Sequence, residues 1–194
     1  AMLGYLMYHK NETPKIKSDH FVAQCYVDYK RSETDETKKQ VQKLTLDWEN
    51  NDKEVRQLWS KLTKWVYQGY NETYKKLGID FDKEYYESQI YTKGKEITQQ
   101  GLKKGIFQKK EGAIIASLEK YNLPDKILIK SDGTSLYMTQ DLYLAKLKEQ
   151  DFNINRSIYV VASEQDLHFK QLFKILELLD FKVAKKSYHL SYGL

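Results

Sequence analysis

Tyr137 and Asp141 stand four residues apart in "YMTQD", where the pattern predicts the end of a strand and the start of a helix; Gln165 stands in "ASEQDLHF", at the next such junction. A carboxylate accepts two N–H bonds side by side, and a phenol and a carboxamide add further acceptors. That set suits a cation with many N–H donors, above all a planar guanidinium, and the tyrosine and glutamine could also hold the α-amino group of an amino acid. Each residue has a plainer reading too. If Thr139 caps its helix, Asp141 lies in the first turn, where an aspartate is a favourable helix charge and no more. Gln165 by itself reads as solvated surface.

Such residues need elements to hold them. The first half of the chain reads as helical. Val55, Leu58, Trp59, Leu62, Trp65, Val66, Tyr70, Tyr74 and Leu77 recur at intervals of three and four, which predicts one long helix over 51–78. Asn51 and Glu54 suit its cap and the reciprocal partner, and Gly78 its stop. Trp59 and Trp65 lie in the apolar stripe and read as core packing. Weaker periodicity predicts helices near 19–31 and 35–48. After Gly78 the pattern predicts a short strand and loop in "IDFDKEYYES", then a helix near 93–104 ending at Gly105. "GAIIASL" and "KILIKS" read as strands, with Asp132-Gly133 turning the chain into a further strand, "TSLYM". A helix near 139–150 follows, with Tyr137 just outside it. "SIYVVAS" reads as a strand that a parallel sheet buries on both faces. A helix over about 165–179 and a closing strand, "SYHLSYGL", complete the chain. The order helix, strand, helix, strand from residue 135 is half of an open α/β sheet, a fold whose ligands sit where strands hand over to helices.

Composition narrows the classes. The chain has 194 residues, 41% of them hydrophobic, enough to bury a core and against global disorder. A net charge of +5 permits contact with nucleic acid without requiring it. The single cysteine, Cys25, cannot form an internal disulfide and lies on an apolar helical face with Phe21, Val22 and Tyr26, as a packing residue. No apolar run approaches the ~18 residues of a membrane span, and no signal peptide is visible. No histidine–cysteine cluster offers a metal site. These features predict a cytoplasmic chain with no membrane contact.

The residues also resemble a known family. "KSDGTSLYMTQDL", "IYVVASEQDLHFKQLFKILELLDF" and "HLSYGL" are similar to the catalytic domain of the arginyl-tRNA synthetases, which are class I aminoacyl-tRNA synthetases. "LGIDFDKEYYES" and "MLGYLMYHK" keep the same register, so the resemblance runs nearly end to end.

The resemblance implies an α/β fold: part of a Rossmann-type catalytic domain, with a helical first half and a β-hairpin-containing insertion. On that frame residues 1–105 are the helical part and its insertion. Residues of about 106–134 are the β-rich insertion, and those of about 135–194 begin the second Rossmann half. It implies that Tyr137, Asp141 and Gln165 bind arginine, with no catalytic residue and no metal ligand in this stretch. Gln140 departs from the family's arginine in that block. His168 falls near the ATP-side rim on this resemblance, and a structural histidine is an equal reading. The two ATP-binding signatures of class I enzymes are not in the chain, which makes it, on this reading, an internal fragment of a larger ligase, inactive alone. The implied substrates are arginine, ATP carrying Mg2+, and tRNA(Arg), whose binding the activation step requires in this family. A rival reading is a non-catalytic module that binds protein or RNA, with Lys103, Lys104, Lys109 and Lys110 along a phosphate backbone. Another class I synthetase is a third, and the acidic Asp141 argues against a neutral or acidic substrate.

Overall fold

The computed structural model describes residues 1–193, apart from the side chain of Tyr91; Leu194, included in the predicted closing strand, lies outside the described residues. The chain divides into two compact units, Ala1–Asp82 and the residues from Lys83 onward. The sequence division had carried the helical part on to residue 105.

The first unit holds four helices: α1 (Met2–Tyr8), α2 (Ser18–Arg31), α3 (Asp35–Glu49) and α4 (Lys53–Leu77). Tyr5, Phe21, Val22, Cys25 and Leu62 are its buried core, with Leu58, Trp65 and Val66 packed against them. Trp65 sets its edge against Tyr5 and Phe21 at centroid distances of 5.9 and 5.7 Å. Cys25 is wholly buried, and burial pushes its thiol pKa up. The long stripe on α4 is buried only in its middle: Tyr70 and Leu77 are exposed. Trp59 lies outside this core and packs edge-on against Trp48 of α3 at 5.5 Å. No residue of α3 is buried, so aromatic contact rather than an apolar face attaches it.

The start of α4 differs from expectation. Asp52, not Asn51, caps it, accepting the Val55 N–H at 2.9 Å. Asn51 itself turns left-handed at φ 61°, a conformation its short polar side chain tolerates. Glu54 therefore contributes charge to the first turn rather than a reciprocal cap. Gly78 ends the helix as expected, at φ 66°. The strand predicted in "IDFDKEYYES" does not form. No strand lies beside it to complete a ladder, and Phe81 instead packs on Tyr74 at 4.8 Å.

The second unit begins with α5 (Glu87–Lys103), which starts six residues before the predicted 93. β1 (Gln108–Lys110), β2 (Ala113–Ala116) and β3 (Lys126–Ile129) form a three-stranded antiparallel sheet in that order. A two-residue turn joins β1 to β2, with Glu111 at φ 50° and Gly112 at φ 83°, the left-handed pair that a tight hairpin demands. The Asp132-Gly133 turn also forms, but "TSLYM" is not a strand. Its pairing is a single bridge, Ile129 to Ser135, and helix α6 (Tyr137–Phe152) begins straight afterwards. The reason is packing: Met138, Leu142 and Ala145, at helical spacing, are buried together.

β4 (Ser157–Ala162), α7 (Asp166–Leu178) and β5 (Ser187–Tyr192) follow, with β4 and β5 paired in parallel from Ser157 against Ser187 to Ala162 against Tyr192. The helices α6 and α7 pack with the antiparallel sheet around one core that includes Phe107, Leu118, Leu128, Leu142, Leu172, Ile175, Leu176 and Val183. Only one face of the parallel pair is covered. Tyr159 packs on Phe169 and Phe173, whereas Ile158, Val160, Tyr188, Leu190 and Tyr192 are exposed. The predicted burial of β4 on both faces is thus corrected. Successive strand residues point to opposite faces, and among the described residues only one face has helices upon it. No helix of the described residues is long and apolar enough to cross a membrane.

Candidate functional site

The site is built where β3 hands over to α6 and β4 to α7. Asp132 Oδ1 accepts the Thr134 N–H at 2.8 Å, which closes the turn and delivers Leu136 to the N-cap of α6. No side chain caps that helix. Thr139, expected there, is its third residue; its buried hydroxyl donates to the Leu136 carbonyl at 2.9 Å instead of accepting a backbone N–H. A fully buried hydroxyl is best satisfied by that local carbonyl.

This shift of the cap by three residues changes both neighbours. Tyr137 is the first residue of α6 rather than outside it, and its side chain is 71% exposed. Asp141 becomes the fifth residue, beyond the first turn, and no acidic residue occupies that first turn. The dipole effect fades within one turn, so the plain helix-charge reading of Asp141 loses its geometric basis. Tyr137 and Asp141, four apart, share one side of α6.

Asp141 is held from the neighbouring helix. His168 Nε2 lies 2.7 Å from Asp141 Oδ2, and both side chains are mostly shielded, at 19% and 33% exposure. An ionised carboxylate only accepts, so Nε2 carries the proton of this bond. Asp141 Oδ1 makes no hydrogen bond among the described residues. Gln165 closes the 3-10 turn Ser163–Gln165 that links β4 to α7, one turn ahead of His168, and is exposed. The structure thus joins Asp141 directly to His168. Tyr137 and Gln165 form no hydrogen bond to either among the described residues, and stand one turn before each of them on their own helices.

Around this pair lie groups the sequence did not single out. Lys148 projects from the side of α6 that Asp141 occupies, donates to Ser157 Oγ at 3.2 Å and sits 3.7 Å from the Tyr159 ring centroid. Burial pushes its ammonium pKa down to about 8, with the Asp141 charge pulling the other way. Tyr159's phenol is pushed up by burial, with the nearby Ser157 and Ser187 hydroxyls pulling the other way. His189 of β5 packs on Phe169 with centroids 4.3 Å apart and the rings tilted by 33°, with Nε2 2.9 Å from the Val161 carbonyl and Nδ1 3.3 Å from Asp166. Gln140 leaves its side-chain oxygen buried without a partner among the described residues. Helical periodicity from Asp141 could have flagged Lys148, seven residues on; nothing local flags Tyr159 or His189. No group of three or more histidine, cysteine, aspartate or glutamate side chains is arranged for a metal ion among the described residues.

Comparison with known proteins bears on the whole chain. A family model for the catalytic domain of class I tRNA synthetases (R) matches residues 5–194. An arginine–tRNA ligase of Parabacteroides distasonis is 41% identical over 100% of the chain and 36% of its own length; one of Treponema denticola is 43% identical over 100% and 34%. The chain therefore spans about a third of the length of the curated relatives it matches. Among solved structures, an arginyl-tRNA synthetase of Plasmodium falciparum has a TM-score of 0.77 at 22% identity, covering 100% of this chain and 33% of that one. An arginyl-tRNA synthetase of Thermus thermophilus has a TM-score of 0.61 at 17% identity, covering 99% and 39%. At those identities the likeness carries the fold.

Proposed function

Because this chain belongs to the family of class I tRNA synthetase (R) catalytic domains, we propose that it forms the amino-acid-recognising part of an arginine–tRNA ligase. Asp141 offers Oδ1 to the guanidinium of arginine, Tyr137 adds its hydroxyl, and Gln165 holds the α-amino end. In the reaction, the arginine carboxylate attacks the α-phosphorus of ATP and displaces pyrophosphate. A ribose hydroxyl at the tRNA end then attacks the arginyl carbonyl and displaces AMP. ATP enters as its magnesium complex, as substrate. The residues of this chain bind and orient arginine; the phosphate chemistry belongs to groups outside the stretch.

One observation carries the reading. Asp141 is a shielded carboxylate beyond the reach of its helix dipole, with one oxygen tied to His168 and the other free of protein partners among the described residues. A carboxylate oxygen so placed can accept N–H bonds from a bound cation. The family's likeness over the "YMTQD" and "SEQ" blocks supports the same three residues.

Asp141→Asn tests it by removing charge and keeping shape. In the ligase that contains this chain, breaking such a pair costs roughly 3–5 kcal/mol, so the arginine KM should rise by about two to four powers of ten. The ATP KM should change far less. An unchanged arginine KM sinks the assignment. Binding of tRNA that weakens with salt, together with no arginine affinity in the unaltered protein, leaves the RNA-binding module, for which the exposed Lys103, Lys104, Lys109 and Lys110 would serve.

A further inference from the structure

We propose that His168 is the positioning residue of Asp141, fixing which carboxylate oxygen faces the guanidinium. The inference rests on the arginine pocket proposed above and adds a residue to it. The ring of His168 meets Asp141 from the neighbouring helix.

A lone carboxylate on a helix turns about its final torsion with little restraint, because that torsion is broad. Here the rotation is stopped. Nε2 of His168 takes Oδ2 at 2.7 Å from the adjacent helix, so Oδ1 is the oxygen left to a ligand. The imidazole is itself held: it is 19% exposed, and its ring stands perpendicular to Phe169, with the centroids 5.3 Å apart. Phe169 in turn is locked between Tyr159 of β4 and His189 of β5, at 5.1 and 4.3 Å. The orientation of Asp141 is therefore referred back to the parallel sheet through side chains on three elements. A guanidinium N–H bond to one oxygen depends on the direction in which that oxygen is held, so the restraint acts on affinity.

Lys148 of α6 and Tyr159 of β4 also feel the Asp141 charge. Both remain in every variant below, so a difference between variants isolates His168.

The experiment measures arginine and ATP KM at pH 8 in the ligase that contains this chain, as the unaltered protein, His168→Ala, His168→Gln and Asp141→Asn. Thermal unfolding is followed in parallel. Loss of one charge-assisted hydrogen bond predicts an arginine KM about tenfold higher in His168→Ala at pH 8, with the ATP KM moving far less. His168→Gln keeps an N–H donor and should recover most of that loss. The inference is overturned by an arginine KM unchanged in His168→Ala, or by an ATP KM that rises in its place. It is overturned as well if both histidine variants lose arginine equally along with melting temperature, for the role is then structural. Asp141→Asn separates the two proposals: a large effect there with none at His168 leaves the pocket standing alone, and no effect in any variant removes both.

Discussion

Gly94 poses a test in which two physical effects oppose each other. It lies inside α5, where replacing glycine with alanine ordinarily stabilises a helix by about 1 kcal/mol. Here the opposite should happen. A Cβ on Gly94 would overlap the Thr139 carbonyl group and stand 3.1 Å from the Gln140 nitrogen. Those are backbone atoms of α6, and Thr139 is itself anchored by its hydroxyl bond to Leu136. No flexible tip can swing away, so the two helices must separate. Overpacking of a tight core costs about 1–3 kcal/mol, and a clash with backbone belongs at or above the upper end. After the helical gain is subtracted, Gly94→Ala should destabilise the second unit by about 2 kcal/mol. With a urea slope of about 1–2 kcal/mol/M, the midpoint falls by roughly 1–2 M. Gly69→Ala is the matched case from the other unit. Its added Cβ overlaps the Asp19 carboxylate and also the Asp19 Cβ, which is fixed to α2, so its midpoint should fall as well. The readout is urea unfolding followed by circular dichroism. A midpoint that rises in Gly94→Ala shows that α5 and α6 do not approach each other this closely, and the placement of Asp141 on α6 relative to the core falls with it.

Two further outcomes bear on the first unit. Leu62 is 3% exposed in the core of that unit, so Leu62→Ala should cost about 2–5 kcal/mol, read as a lower urea midpoint; no change would place the stripe of α4 in water. His9 binds Asp28 at 2.9 Å, and this bond raises the His9 pKa and lowers that of Asp28. The raised histidine contributes stability that is complete below its unfolded value of about 6.5 and lost as pH rises through its folded value. The lowered aspartate contributes stability present above about 3.9 and lost as pH falls through its own folded value. The gap in urea midpoint between the unaltered protein and His9→Gln should therefore be widest near pH 5–6 and close toward pH 8.5. A gap that is constant with pH refutes the pairing.

Periodicity disclosed the helices because one helix buries one face, and residues such as Leu58, Leu62 and Trp65 repeat with that face. It also held the answer at the α6 start, where Met138, Leu142 and Ala145 mark a helical face from 138 onward. The strand reading of "TSLYM" overlooked that pattern in favour of the Asp-Gly turn, which is real but serves a single bridge. The strand predicted after Gly78 failed for a different reason. Strand propensity is satisfied only by a neighbour, and which segment stands alongside is a property of the fold rather than of the segment. The same holds for the site. Tyr137, Asp141 and Gln165 could be nominated from residue type and position at strand-to-helix junctions, because those junctions are local. The bond between Asp141 and His168 could not, since 27 residues and a strand separate them and only the packing of α7 beside α6 brings the imidazole to the carboxylate. Lys148 shows the limit from the other side. Its spacing puts it on the face of Asp141, yet its lowered pKa arises from burial against Tyr159 and Ser157 of β4, an environment assembled only once the parallel pair has formed. What the local pattern can nominate is a side chain and its direction; the charge state and orientation that chemistry requires are set by neighbours from other elements, and at this site those neighbours come from α7 and β4.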